Sequence, residues 1–173
     1  MWSSKACGRS RYVALLAPLL LSGCLHPLYG GASGHRLVQQ MHAVQVDPIG
    51  HRFGHYLHND LVFALNGTGA VGRPAYRLTV TPIETIQTPL VDTITGRATA
   101  ATIVVDADYR LTSLENGRTI ASGVAFTAAG YNRSSQRFAD IRAARNAEVR
   151  DADSLADQIR LRIAAALADR SSQ

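Results

Sequence analysis

The sequence predicts an α+β domain: a two-layer sandwich with two helices packed on one face of a four-stranded mixed sheet. Three observations carry that expectation. Apolar residues recur every four positions between Arg52 and Leu65, as on one helix face. Three later segments alternate apolar with polar residues, the period of a half-buried strand. The last stretch, from Ser135 to about Asp169, is alanine-rich and helical in pattern.

Residues 1–23 have the layout of an export signal, with Lys5, Arg9 and Arg11 ahead of an apolar run from Tyr12 to Leu21. That run is about half of the roughly 20 residues a membrane-crossing helix needs, and Pro18 interrupts it, so it reads as a cleaved targeting segment. Leu21-Ser22-Gly23-Cys24 follows and resembles the lipobox of bacterial lipoproteins. Small side chains flank the scissile bond, and the thiol of Cys24 accepts the lipid. Acyl chains contribute about 0.8 kcal/mol per buried methylene, so covalent diacylglycerol and an N-acyl chain would anchor the mature protein without further help.

The mature chain, residues 24–173, has the length of one ordinary domain. Residues 24–36, rich in Pro, Gly and Ser, read as a lipidated, flexible tether, and residues 37–173 as the folded domain. A first strand is expected over 42–46, closed by Asp47-Pro48. The helix that follows buries Phe53, Leu57, Leu61 and Leu65 and stops at Asn66-Gly67. Tyr76, Leu78 and Val80 mark the next strand, and Ala101, Ile103, Val105, Ala107, Tyr109 and Leu111 the one after. Ile120, Ser122, Val124, Phe126 and Ala128 mark the last strand. Asn116-Gly117 joins the final two as a hairpin, because both residues tolerate positive φ. The outer sheet face, with Thr102, Asp106, Asp108, Arg110 and Thr112, reads as wet. In the C-terminal stretch Phe138, Ile141, Leu155, Ile159, Ile163 and Leu167 are the larger apolar residues, with Ser134 or Ser135 as N-cap. Its charged middle, 145–153, fits either one long helix or two collinear ones.

Composition narrows the function. Cys7 leaves with the signal and Cys24 is committed to lipid, which excludes an internal disulfide and a cysteine nucleophile. Three of the eighteen basic residues also leave, so the mature chain carries a charge near +2, all its cations other than histidine being arginines, with no basic block. Nucleic-acid binding has no support in that balance, whereas arginine suits carboxylate or phosphate. Gly67-Thr68-Gly69-Ala70-Val71-Gly72 matches the dinucleotide-binding glycine pattern in letters only, since a helix precedes it and a strand follows. His51, His55 and His58 share a helix face that zinc could use, but it lies opposite the apolar stripe and lacks a carboxylate, so solvated histidines and no metal site are expected. Asp106 and Asp108 beside Arg110 read as a solvated cluster more than a hydrolytic pair. No Gly-x-Ser-x-Gly elbow occurs. The expectation is a binding or assembly component, not an enzyme.

Cys24-Leu25-His26-Pro27-Leu28-Tyr29-Gly30 resembles the start of the lipopolysaccharide-assembly lipoprotein family LptE of alphaproteobacteria, where Pro-Leu-Tyr-Gly follows the lipidated cysteine. Tyr76-Arg77-Leu78, Ala107-Asp108-Tyr109-Arg110-Leu111, Gly130-Tyr131-Asn132 and Phe138-Ala139 are similar to the segments that family has in those places. The resemblance implies an outer-membrane lipoprotein on the periplasmic side that plugs the LptD β-barrel, assists its folding and binds lipopolysaccharide. Leu25 after the cysteine, in place of a retaining aspartate, is consistent with delivery to the outer membrane. Arg97, Arg110 and Arg118, near the sheet loops, are the candidate contacts to lipid A phosphates. The alternative is an accessory lipoprotein of an envelope ABC-type lipid transport system. No cofactor beyond the lipid on Cys24 is expected in either case.

Overall fold

The computed structural model describes residues 31–67, 73–91 and 98–171. In chain order the elements are α1 (Gly31–His42), β1 (Val44–Val46), α2 (His51–Asn66), β2 (Tyr76–Val91), β3 (Ala98–Ser113), β4 (Thr119–Asn132) and α3 (Arg137–Ser171). The strands form one open sheet in the order β1-β2-β3-β4. β1 runs parallel to the start of β2, and β2, β3 and β4 form an antiparallel meander. Parallel neighbours need a crossover, and α2 supplies it between β1 and β2. The architecture is the expected α+β sandwich on a mixed sheet.

One sheet face is dry. Leu78 and Val80 of β2, Ile103, Val105, Ala107, Tyr109 and Leu111 of β3, and Ala125 of β4 are buried there. They pack against the α2 stripe Phe53, Leu57, Leu61 and Leu65 and the α3 stripe Leu155, Ile159, Ile163 and Leu167, all buried. Each helix thus contributes a face repeating every four residues, as the sequence periodicity required. Gly54 lets α2 start close to the preceding chain: a Cβ there would lie 2.6 Å from Ile49 Cγ2. At the other end Gly67, with φ 58°, donates its amide to Phe63 O at 2.7 Å and stops the helix. The β3–β4 hairpin closes through Gly117, with φ 68°, and a 2.9 Å bond from the Ser113 amide to Arg118 O.

Three features depart from the sequence reading. First, the segment read as the end of a tether is helical from Gly31, so the described residues hold three helices where two were expected. Leu37 and Met41, four apart on α1, are buried in the same core, and α1 packs against both α2 and α3. That burial outweighs the entropic cost of glycine in a helix. Second, β2 runs on to Val91, past the three alternating residues that marked it. Beyond Leu78 one of its edges has no neighbouring strand among the described residues, and polar and apolar side chains are both exposed there, which erases the alternation.

The third departure is the facing of β4. Val124 and Phe126, expected in the core, point to solvent, and the inward positions are Ala121, Gly123, Ala125, Thr127 and Ala129. Small residues face inward because α3 lies low over this strand with small residues of its own, including buried Ala147, Ala152, Ala156 and Ala164. Gly123 also makes room for the Tyr109 ring, whose Oη would sit 3.1 Å from an added Cβ.

The C-terminal stretch forms a single continuous helix across its charged middle. The charges there fasten α3 to its neighbours. Arg52 of α2 binds the buried Glu148 with two nitrogens, Nε donating to Oε2 at 2.9 Å. Arg150 Nη2 donates to Gly130 O at 3.0 Å, Gln158 Nε2 to Phe126 O at 3.0 Å, and Arg162 to Val124 O. These three carbonyls lie at alternate positions along the outer margin of β4, so helix side chains occupy the acceptors that a further strand would use. Ahead of α3, Ser134 Oγ accepts from the Gln136 amide at 3.1 Å and the Ser134 amide donates to Asp140 Oδ1 at 2.6 Å.

Candidate functional site

No described element covers the sheet face away from the helices, and its register places the candidate residues in rows. Arg110 stands between Thr79 and Ser122, Asp108 between Thr81 and Val124, and Asp106 between Ile83 and Phe126. A cavity of about 480 Å³ opens over the first two rows, lined by Thr79, Thr81, Asp108, Arg110, Ser122 and Val124. Arg110 is exposed and forms no ion pair among the described residues. Thr79 Oγ1 already donates to Asp47 Oδ2 at 2.8 Å, so Thr81 and Ser122 are the hydroxyls that remain for a ligand.

Past this polar end the face turns apolar. Ile83, Val124 and Phe126 are 59%, 53% and 55% exposed, well beyond what scattered surface residues need. A guanidinium that can grip phosphate thus lies one row from Val124 and two rows from Ile83 and Phe126, with Asp108 and Asp106 in the strand between, so the face offers a cation at one end and apolar side chains at the other. The sequence reading missed this half, because it assigned Val124 and Phe126 to the core. Ile83 alternates with the buried Leu78 and Val80 in odd register, and that spacing was the available signal.

Arg118 does not join this cavity. Arg118 lies at the β3–β4 hairpin, where with Thr119, Ile120 and Arg170 it lines a separate hollow of about 400 Å³. Arg97 and Cys24 lie outside the described residues. His51 and His55 are exposed and His58 half-buried on α2. Among the described residues no group of three or more His, Cys, Asp or Glu side chains could hold a metal ion.

Behind the sheet, three carboxyl groups have pKa values above the ordinary range. Burial is the main cause at Asp151, opposed by the Thr127 hydroxyl, which donates to Oδ1 at 2.9 Å, and by the Ala129 backbone. Burial followed by the charge of Glu148 raises Glu84, and burial followed by Asp153 raises Asp60. A carboxyl with a raised folded-state pKa binds its proton more readily folded than unfolded. Its contribution to stability therefore declines as pH climbs from the ordinary value of 3.8 for Asp151 through the raised value. Asp151→Asn keeps an oxygen for Thr127 and removes the titration. Urea unfolding across that interval should show a shallower decline in the variant than in the native chain; equal slopes would contradict the assignment.

No protein-family model matches the chain, and no curated protein sequence matches it. Solved structures do. A protein described as a lipoprotein from Caulobacter crescentus superposes with a TM-score of 0.64 at 22% identity, over 78% of this chain and 97% of the other. A minor lipoprotein from Acinetobacter baumannii gives 0.53 at 16% identity, over 70% and 90%. Rare lipoprotein B from Shewanella oneidensis gives 0.51 at 12% identity, over 75% and 96%. What the chain shares with these bacterial lipoproteins is the fold. Among the described residues, no helix is long and apolar enough to cross a membrane.

Proposed function

We propose that this chain is a lipid-anchored LptE-type subunit of the lipopolysaccharide assembly machinery, held at the periplasmic side of the outer membrane. In this reading it plugs an LptD-type β-barrel, assists the folding of that barrel and binds lipopolysaccharide during insertion into the outer leaflet. The observation that carries the reading is the uncovered sheet face. Arg110 at one end of this face, with Val124 one row on and Ile83 and Phe126 two rows on, suits an amphiphilic anion, and the fold beneath it is one that bacterial lipoproteins use. The lipobox ending in Cys24 and the Pro27-Leu28-Tyr29-Gly30 segment support the same reading from the sequence. The domain acts by binding and assembly, with no catalytic step and no cofactor besides the acyl chains on Cys24.

Tagged mature protein drawn from outer-membrane extract should bring down one large barrel in stoichiometric amount. An inner-membrane permease in its place would establish the ABC-type accessory role, and neither partner would remove both. Palmitate should label the native chain and not Cys24→Ser. Arg110→Gln should weaken retention of lipopolysaccharide roughly tenfold or more, the scale of a lost hydrogen bond to a charged group, while leaving circular dichroism unchanged.

A further inference from the structure

A second exposed surface lies far along the chain from the sheet face, on the first turns of α3. At roughly 100° per residue, Arg137, Phe138, Ile141, Arg142, Arg145 and Val149 fall within an arc of about 140° along some 18 Å of helix. Phe138 is 83% exposed, Ile141 47% and Val149 41%, although the same helix buries every large apolar residue of its inner stripe. A phenyl ring standing almost wholly in water, with two aliphatic neighbours on the same side, is not the default of a folded helix. The three arginines are exposed and form no ion pair or side-chain hydrogen bond among the described residues. The carboxylates nearby are occupied or turned away. Glu148 is held by Arg52, Asp140 takes the Ser134 amide on the opposite side, and Asp153 lies one turn beyond Val149.

We propose that this face of α3 docks on the surface of an anionic phospholipid bilayer, with Phe138, Ile141 and Val149 entering the headgroup boundary and Arg137, Arg142 and Arg145 meeting lipid phosphates. Charge complementarity selects this occupant. The face carries three uncompensated cations around an apolar strip, the pattern of a helix lying in a membrane interface. The inference is independent of which protein partner the sheet face serves. It gives the domain a fixed attitude toward the membrane, because a helix in the interface plane orients what is attached to it, whereas an acyl tether alone leaves the domain free to tumble.

The mature chain carrying Cys24→Ser, so that no acyl group contributes, is sedimented with vesicles of phosphatidylcholine alone and of equimolar phosphatidylcholine and phosphatidylglycerol. Binding is expected to the anionic vesicles and to fall with added salt. Each arginine near such a surface is worth about a fivefold change in partition. The triple variant Arg137→Gln, Arg142→Gln, Arg145→Gln should therefore lose roughly a hundredfold, and the corresponding triple lysine variant should retain binding. Phe138→Ser should weaken partition about tenfold with the arginines in place. All of these positions are exposed, so circular dichroism should not change. Equal partition to both vesicle types, or unchanged binding by the glutamine variant, overturns the proposal. So does self-association that Phe138→Ser abolishes, since a second copy would then be the occupant.

Discussion

Ile159→Ala lowers the unfolding free energy by about 2–5 kcal/mol, the range for truncating a fully buried aliphatic side chain when the surroundings close only part of the cavity. Ile159 is 0% exposed and sits in the α3 stripe that meets the buried face of the sheet. Phe126→Ala, which removes a larger side chain, stays within about 0.5 kcal/mol because that ring is more than half exposed. Urea denaturation of the two variants beside the native chain measures both. A large loss at Phe126 would mean that β4 faces the other way.

The second large effect tests the same packing from the opposite direction. Ala125 is 0% exposed on β4, paired with the equally buried Ala107 of β3. Ala125→Leu forces three additional carbons beneath α3, where overpacking costs about 1–3 kcal/mol. Val124→Leu, one residue away on the open face, leaves stability unchanged. The contrast between adjacent positions is the signature of a strand whose inner side is built from small residues, and thermal unfolding of the pair reads it directly.

Much of the fold was legible because burial writes a period into the chain. The stripes at Phe53, Leu57, Leu61 and Leu65, and at Leu155, Ile159, Ile163 and Leu167, announced α2 and α3, and the alternation from Ala101 to Leu111 announced β3. Asn116-Gly117 marked the hairpin because its backbone demand is local. What was not legible depended on distant partners. β4 alternates in both registers, with Val124 and Phe126 in one and alanines in the other, and only the closeness of α3 decides which side turns inward. α1 is glycine-rich at its start, and its helix rests on contacts from Leu37 and Met41 to elements far along the chain. The candidate site divided the same way. Arg110 was found from its place on a polar strand face, but the apolar residues further along that face come from β2 and β4 through register, which no single segment displays. Arg118 was also found, yet the hairpin that made it conspicuous carries it to a different hollow, beside Arg170.

The two margins of the sheet are finished in different ways. Along β4, Arg150, Gln158 and Arg162 take up carbonyl oxygens. Along β2, where among the described residues no strand lies beyond Leu78, Pro82 withholds an amide and an irregularity breaks the ladder between Gln87 and Leu90. Copies of this domain crowded side by side are thereby kept from zipping into an endless ribbon. Its long strands can stay open on their broad side for recognition without seeding a fibril at their rims.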